Sequence, residues 1–232
     1  MEKVAENINA ILASVSALVW GSDQIRDYVT QALTERLAGV PEDGLVMPSL
    51  TVAGPTMEAL RYAGHDVLLR ELYANLLATA MNARTTHLAL PAFVEIIRQL
   101  TSDEARLLGL LGVNQPLPLI SVRVNYKRQL GGYSVLRHFS LLGYEAGCAY
   151  PDLTPSYLEN LCRLGVAEIP ATGAYTVPGI YEPLERHPKI VDLVSDIDRK
   201  PDKKSFIERQ RLRVTNLGRH FCEACVGDPD RG

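Results

Sequence analysis

Residues 67–80 carry the clearest helical pattern in the chain: Val67-Leu68-Leu69-Arg70-Glu71-Leu72-Tyr73-Ala74-Asn75-Leu76-Leu77-Ala78-Thr79-Ala80. Apolar residues recur in it as adjacent pairs every four positions. Such a wide apolar stripe is typical of a helix in a bundle core, since a coiled-coil seam is narrower. The pattern predicts a helix over residues 66–82 in which Leu72 and Leu76 are buried. Glu71 is expected to be solvated or to pair with a neighbouring helix; a catalytic carboxylate is the alternative.

Helical spacing also precedes this segment. Residues 4–38 predict helix, and Gly21-Ser22-Asp23 favours a break with Ser22 or Asp23 as a new N-cap. Residues 44–55 are rich in Gly and Pro and predict a linker, after which a short helix is expected at 56–62.

Two further helices are expected before the pattern changes. Residues 91–100 place apolar groups on one face, and Thr101-Ser102-Asp103-Glu104 is a capping box for the next helix. Asn114–Pro118 then reads as a linker. The sequence therefore predicts a helical domain over residues 1–113.

The second half alternates in its hydropathy. Apolar and polar residues alternate from Ile120 to Lys127, and a turn at Gly131-Gly132 predicts a β-hairpin. Helices at 154–164 and 188–198, a strand at 206–214 and a closing helix capped by Thr215 complete the pattern. This order resembles a winged helix with a long insertion. The predicted fold class is α+β, mainly α: an N-terminal helical bundle followed by a winged-helix-like domain with a β-hairpin, over residues 119–226.

Composition narrows the class of protein. Of the 232 residues, 47% are hydrophobic and 22% charged, which is typical of a globular chain and excludes a fibre or a disordered tail. The net charge of −3 does not indicate nucleic-acid binding for the chain as a whole. The apolar stretch Ile8–Trp20 has about 13 residues, whereas a spanning helix needs about 20. A cytoplasmic protein with reduced thiols is expected, and membrane binding is not favoured.

Motifs for catalysis are scarce. The chain has no P-loop, no G-x-G-x-x-G, no H-E-x-x-H and no G-x-S-x-G. Enzymatic activity is thus left open but is not favoured, no catalytic residue is assigned, and no cofactor is expected.

The C-terminal sequence Cys222-Glu223-Ala224-Cys225 has the spacing of zinc ligands. With His220, Cys222 and Cys225 could hold zinc if another cysteine approached. Because the pair lies on an amphipathic segment, core packing is favoured and no metal is expected.

A locally basic segment is the candidate nucleic-acid surface. Phosphate contacts there are one interpretation, and an edge strand protected by charge is the other, which is preferred. The candidate residues are Arg199, Lys200, Lys203, Lys204, Arg209, Arg211 and Arg213.

Four segments together resemble the bacterial abortive infection alpha family, which is linked to phage defence and has no established catalytic residues to carry over. They are Leu69–Met81, Phe93–Ala105, Tyr157–Gly165 and Val214–Phe221. The resemblance covers roughly residues 50–226 and leaves the first helix unassigned.

The resemblance implies a phage-defence protein of abortive infection type. We expect a non-enzymatic effector or sensor that works through a protein partner or self-association, with a phage component as the candidate trigger. Two alternatives remain: a nucleic-acid-binding regulator that uses the winged half, and, more weakly, a hydrolase whose site is assembled in space.

Overall fold

Residues 21–112 and 115–227 are described by a computed structural model. Their fold is α+β and mainly α, as predicted. The helix expected over residues 4–20 lies outside the described residues. Contacts divide the chain into two units, residues 21–105 with 220–227, and residues 106–219.

The first unit consists of helices whose bounds follow the predicted ones closely, with one exception. Short 3-10 turns at Glu42–Gly44 and Thr86–Leu88 join them, and a π-helical turn, Cys222–Val226, is the last element of the described residues. The helices are α1 (Ser22–Leu37), α2 (Leu50–Ala63), α3 (Val67–Met81), α4 (Pro91–Arg98) and the start of α5 (Ser102–Leu111).

Side chains cap the starts of α3 and α5. Asp66 is the N-cap of α3 and accepts hydrogen bonds from the backbone N–H groups of Leu68 and Leu69. The capping box at α5 is confirmed: the Glu104 carboxylate accepts from the Thr101 N–H at 2.7 Å, and the Thr101 hydroxyl accepts from the Glu104 N–H at 3.2 Å. At α1 the N-cap is Gly21, so the expected cap at Ser22 or Asp23 was wrong by one or two residues.

Helix α2 is the exception, because it begins six residues earlier than the predicted helix at 56–62. The expected linker at 44–55 is therefore helical from Leu50 onward, despite Pro55 inside the helix. Ser49 caps the start, and Val52 is 1% exposed. We attribute the early start to this cap and buried contact, which outweigh the missing N–H of the proline.

The core of the first unit lies between α2, α3 and α4. Leu72 is buried and Leu76 is fully buried, as predicted. The rings of Phe93 and Phe221 meet edge-on with centroids 5.3 Å apart. Phe221 thus packs α10 into the first unit. The domain boundary expected at Asn114–Pro118 stays a prediction.

The second unit is built on an antiparallel sheet in the order β2-β1-β4. The predicted hairpin forms from β1 and β2, and β4 pairs along the whole of β1, with Val122 opposite Ile207. A smaller two-stranded sheet joins β3 to β5. The strands are β1 (Pro118–Tyr126), β2 (Gly132–Phe139), β3 (Ala167–Glu168), β4 (Lys203–Arg211) and β5 (Arg213–Val214).

Helices of the second unit cover one face of the larger sheet. Ile120, Val122 and Val124 of β1 pack in one buried cluster with Ile190 and Ile197. The winged-helix assignment itself stays a prediction. The helices are α6 (Leu142–Glu145), α7 (Thr154–Arg163), α8 (Glu182–Glu185), α9 (Pro188–Asp198) and α10 (Asn216–Phe221), which extends beyond this unit.

The start of α10 explains one sequence motif. Thr215 caps it, accepting a 2.9 Å hydrogen bond from the Gly218 N–H, as predicted. Gly218 lies against the Val166 carbonyl, so a Cβ at this position would collide with backbone. Only glycine fits there.

None of the helices in the described part of the chain combines the length and hydropathy of a bilayer-spanning segment.

Candidate functional site

A polar cluster joins α1 to α3 in the first unit. The Glu71 carboxylate pairs with the Arg36 guanidinium and accepts a 2.9 Å hydrogen bond from the Tyr28 hydroxyl. Burial, together with this carboxylate, raises the pKa of Tyr28. The Arg70 guanidinium lies 5.0 Å from the centre of the Tyr28 ring. The helix-pairing role expected for Glu71 is therefore confirmed.

The following turns of α3 hold the π-helical turn Cys222–Val226. Asn75 accepts a 2.6 Å hydrogen bond from Arg36 Nε and donates one of 2.8 Å to the Cys225 carbonyl. The Thr79 hydroxyl donates to the Ala224 carbonyl at 2.9 Å. Because carbonyls at a helix end lack intrahelical partners, these side chains supply donors that the π-helical turn needs. We call Asn75 and Thr79 the C-terminal clamp.

A cavity of about 460 Å³ opens beside α3, within the first unit. Its apolar lining comes from α2, α3 and α4. Its charged and aromatic groups come from α2, from the α2–α3 turn, from α3 and from the end of α4. The lining residues are Glu58, Ala59, Tyr62, Ala63, His65, Asp66, Leu69, Tyr73, Ile97 and Arg98.

The polar groups of this cavity are held in fixed positions. Asp66 is occupied by the α3 cap, and its second oxygen accepts from the Ser102 hydroxyl. Burial raises the pKa of Tyr73 to about 12, against the opposing effect of the nearby Arg98 guanidinium. Arg98 also lies 3.3 Å from the Glu95 carboxylate. The cavity therefore offers an apolar interior with hydrogen-bonding groups at its edge, which suits an apolar side chain or small ligand.

The cysteines of the C-terminal motif are buried. Cys222 is 7% exposed and Cys225 is fully buried. Burial raises the pKa of the Cys222 thiol to about 11 and that of Cys225 well above its ordinary value. Within residues 21–112 and 115–227, His, Cys, Asp and Glu side chains form no group of three that could hold a metal. That Cys222, Cys225 and His220 bind no zinc stays a prediction.

The basic segment of the sequence lies on α9, on β4 and at β5, and most of its arginines face carboxylates. Arg209 forms a two-pronged pair with Glu185 at 2.6 and 3.0 Å. Arg199 pairs with Asp196 at 2.9 Å, and Arg213 hydrogen-bonds Glu168 at 2.7 Å. Arg211 lies 6.0 Å from the centre of the Tyr175 ring. The lysines Lys200, Lys203 and Lys204 lie at or just before the start of β4, at the other end of the strand from Arg209 and Arg211.

The structure adds two cations that the sequence argument missed. Lys127 and Arg128 follow β1, and the Lys127 N–H donates a 2.9 Å hydrogen bond to the Asp202 carbonyl. Strand pairing therefore places them beside Lys203 and Lys204, although more than seventy positions separate them along the chain. A hairpin prediction followed by a search for charge at its turn would have found them.

Comparison with known proteins identifies the family. The family model described as abortive infection alpha matches residues 21–225. The chain belongs to this family. In this abortive infection alpha protein, the first resembling segment, Leu69–Met81, supplies Glu71 and the C-terminal clamp. The last one, Val214–Phe221, supplies the Thr215 cap, Gly218 and the Phe221 ring.

Other comparisons add no functional information. No curated protein matches this abortive infection alpha chain. A solved structure of an uncharacterized protein from the hydrocarbon-degrading marine bacterium Alcanivorax borkumensis SK2 is similar, with 24% identity and a TM-score of 0.41. The match covers 62% of this chain and 96% of that one.

Proposed function

We propose that this protein defends bacteria against phage by abortive infection, as a non-enzymatic effector or sensor that acts in the cytoplasm through protein–protein contacts. Family membership over residues 21–225 is the observation that carries the proposal. A phage component is the proposed trigger. To switch the protein on, the trigger must bind its active state better than its quiet state.

The cavity of the first unit supports a role in protein contacts. Tyr62 stands at its edge and is 61% exposed, and Val67, next to Asp66 in the chain, is 54% exposed. Interface hot spots are enriched in aromatic side chains that lie in or beside well-packed pockets. An apolar side chain of a partner entering the cavity would find Leu69 and Ile97 inside and Arg98 at the edge.

Two carboxylates of the first unit have structural partners. Glu71 pairs with Arg36 and Tyr28, and Asp66 caps α3 and accepts from Ser102. A catalytic carboxylate needs at least one oxygen available to substrate. For Glu71 and Asp66, this favours a structural role over a role in a hydrolase site.

Phage challenge tests the proposal directly. Bacteria expressing the protein are infected with a broad phage panel, and plaques and host survival are scored. We expect fewer plaques together with death of the infected cells. Unchanged plaquing across the panel would count against the defence function.

Variants of the cavity test the contact surface. Ala63→Trp fills the cavity, and Tyr62→Ala removes its exposed aromatic group without touching the core. Ala92→Trp, on the exposed side of α4, is the matched control. We expect protection to be lost in Ala63→Trp and Tyr62→Ala at unchanged melting temperature, and to be retained in Ala92→Trp. Full protection in both cavity variants would show that the cavity is not the contact site.

A nucleic-acid-binding regulator is the second candidate. The observation that favours it is the group of lysines at the start of β4, joined by Lys127 and Arg128. The ion pairs of Arg199, Arg209 and Arg213 weigh against it, because a paired arginine gains less from a phosphate.

A further inference from the structure

The turn between β1 and β2 ends in a fully exposed leucine. Leu130 has no protein atoms covering it, and residues 127–132 around it are all exposed. Gly131 adopts a positive φ of 114°, which lets the chain reverse sharply behind the leucine. The hairpin therefore presents one apolar side chain at its outermost point.

Cations from the turn and from β4 lie at the same end of the sheet as this leucine. Lys127 and Arg128 precede it in the turn. The β1–β4 ladder places Tyr126 opposite Lys203 and Asn125 opposite Lys204, so the start of β4 lies at the same end of the sheet. The Lys203 N–H donates to the Lys200 carbonyl at 3.2 Å, which brings Lys200 within one turn of this end. We call this group the hairpin tip: Lys127, Arg128, Leu130, Lys200, Lys203 and Lys204.

The charge of the hairpin tip is only partly cancelled by its neighbours. Two carboxylates interact with its five cations: Asp202 with Lys203, and Asp198 with Lys127 and Lys204. The Ser205 N–H and hydroxyl, which donate to Asp198 at 2.7 and 3.0 Å, together with the two lysines lower the pKa of Asp198 and keep it charged, so two of the five positive charges are offset. The excess of positive charge therefore faces solvent beside Leu130.

Two tyrosines stand behind the cations. The Lys203 ammonium donates a 3.3 Å hydrogen bond to the Tyr133 hydroxyl and lies 5.6 and 6.0 Å from the ring centres of Tyr133 and Tyr126. Tyrosine and lysine side chains with an apolar body and a polar end are favoured at the boundary between lipid and water. The tip thus combines an apolar point, cations and interfacial aromatic groups.

We propose that the hairpin tip docks onto the surface of a membrane that contains anionic phospholipids. Leu130 enters the headgroup boundary, while the lysines and Arg128 contact lipid phosphates. This contact needs no spanning helix. Membrane docking goes beyond the proposed defence function. It does not depend on that function, because binding of the purified protein to lipid can be measured without phage.

The arrangement fits a membrane better than a nucleic acid. A protein that follows a nucleic-acid backbone presents cations along a groove, with aromatic faces open for stacking. Here the positive surface stops at the tip, because further along β4 Arg209 is neutralised by Glu185. An apolar side chain at the outermost point gains from lipid and has no partner in a phosphate backbone.

Vesicle flotation tests the proposal. Purified protein is mixed with phosphatidylcholine vesicles with or without phosphatidylglycerol, at low and at physiological salt. We expect binding only with phosphatidylglycerol and weaker binding as salt rises. Lys127→Gln with Arg128→Gln should weaken binding about tenfold or more, and Leu130→Ser about fivefold. The control, Arg186→Gln with Lys189→Gln, changes the charge of the same unit equally at exposed ion pairs and should bind as the parent does.

Several outcomes would overturn the proposal. They are equal binding to both kinds of vesicle, no binding to either, or unchanged binding in the Lys127/Arg128 variant. Tighter binding to a duplex or single-stranded DNA oligonucleotide than to the anionic vesicles would assign the tip to nucleic acid instead. None of these outcomes depends on whether the protein protects against phage.

Discussion

The side-chain amide of Asn75 donates a 2.8 Å hydrogen bond to the backbone carbonyl of Cys225, 150 positions away in the chain. The same amide accepts from Arg36 on α1. One residue of α3 therefore links the first helix of the described chain to its last turn. Carbonyls in the last turn of a helix lack intrahelical N–H partners, so the Asn75 amide supplies a donor that Cys225 does not find within its own helix.

Removing the Asn75 amide should destabilise the first unit. We expect Asn75→Ala to lower the free energy of unfolding by about 1–3 kcal/mol, because it leaves part-buried polar groups on two elements without their partner. Asn75→Asp keeps an acceptor for Arg36 but loses the donor to Cys225, so it separates the two contributions. A denaturant melt measures both, with Gln31→Ala on exposed α1 surface as control. A change in Asn75→Ala no larger than in the control would contradict a structural role for the clamp.

Leu76 tests the core of the same helix. Its side chain is fully buried, so Leu76→Ala should cost about 2–5 kcal/mol through lost burial and the cavity left behind. Leu50→Ala is the matched control, since Leu50 is 81% exposed. Equal midpoints for the two variants in urea would show that the apolar stripe of α3 does not pack as described.

The bounds of α3 and α9 could be predicted closely because each carries its own signals. Asp66 stands at the N-cap of α3, and Pro188 is the first residue of α9, so cap and periodicity agree. The start of α2 was predicted wrongly from the same kinds of signal. Pro55 indicated a linker, whereas burial of Val52, which depends on tertiary contacts, favoured a helix.

The candidate sites were harder to foresee because they depend on contacts between distant segments. The pairing of Glu71 with Arg36 and the hydrogen bond from Asn75 to Cys225 join residues that no local pattern relates. The neutralisation of Arg209 by Glu185 likewise follows from the packing of α8 near β4. Sequence could count the charges of the basic segment but not assign their partners.

The buried thiols predict a pH dependence of stability. The pKa of Cys222 is raised to about 11 from an ordinary 9.0, so the folded state holds this proton more tightly than the unfolded state. The resulting stability is fully present below pH 9 and is lost as pH rises toward 11, by up to about 2–3 kcal/mol. Urea melts between pH 8 and 11 should show this fall, and Cys222→Ala should make it shallower, because buried Cys225 still contributes in the variant. An identical slope in parent and variant would contradict the burial of this thiol.

The last prediction concerns duplex DNA and the Glu185–Arg209 pair. We expect the parent protein to bind duplex DNA weakly or not at all near physiological salt, since three arginines of the basic segment are already paired and the chain is negative overall. Any residual binding should come from phosphates, so Lys203→Gln with Lys204→Gln should weaken it about equally across sequences and flatten its salt dependence by about one unit per lost contact.

Glu185→Gln should act in the opposite direction. It frees Arg209 from its two-pronged pair, and residual DNA binding should rise with the salt dependence steeper by about one unit. Glu182→Gln makes the same change of net charge but frees Arg186, which is not part of the basic segment, so it should leave the slope unchanged. Fluorescence anisotropy titrations over a series of salt concentrations measure both. Submicromolar, salt-sensitive binding by the parent protein would contradict this prediction. It would mean that the arginines of β4 contact DNA phosphates despite their ion pairs with carboxylates.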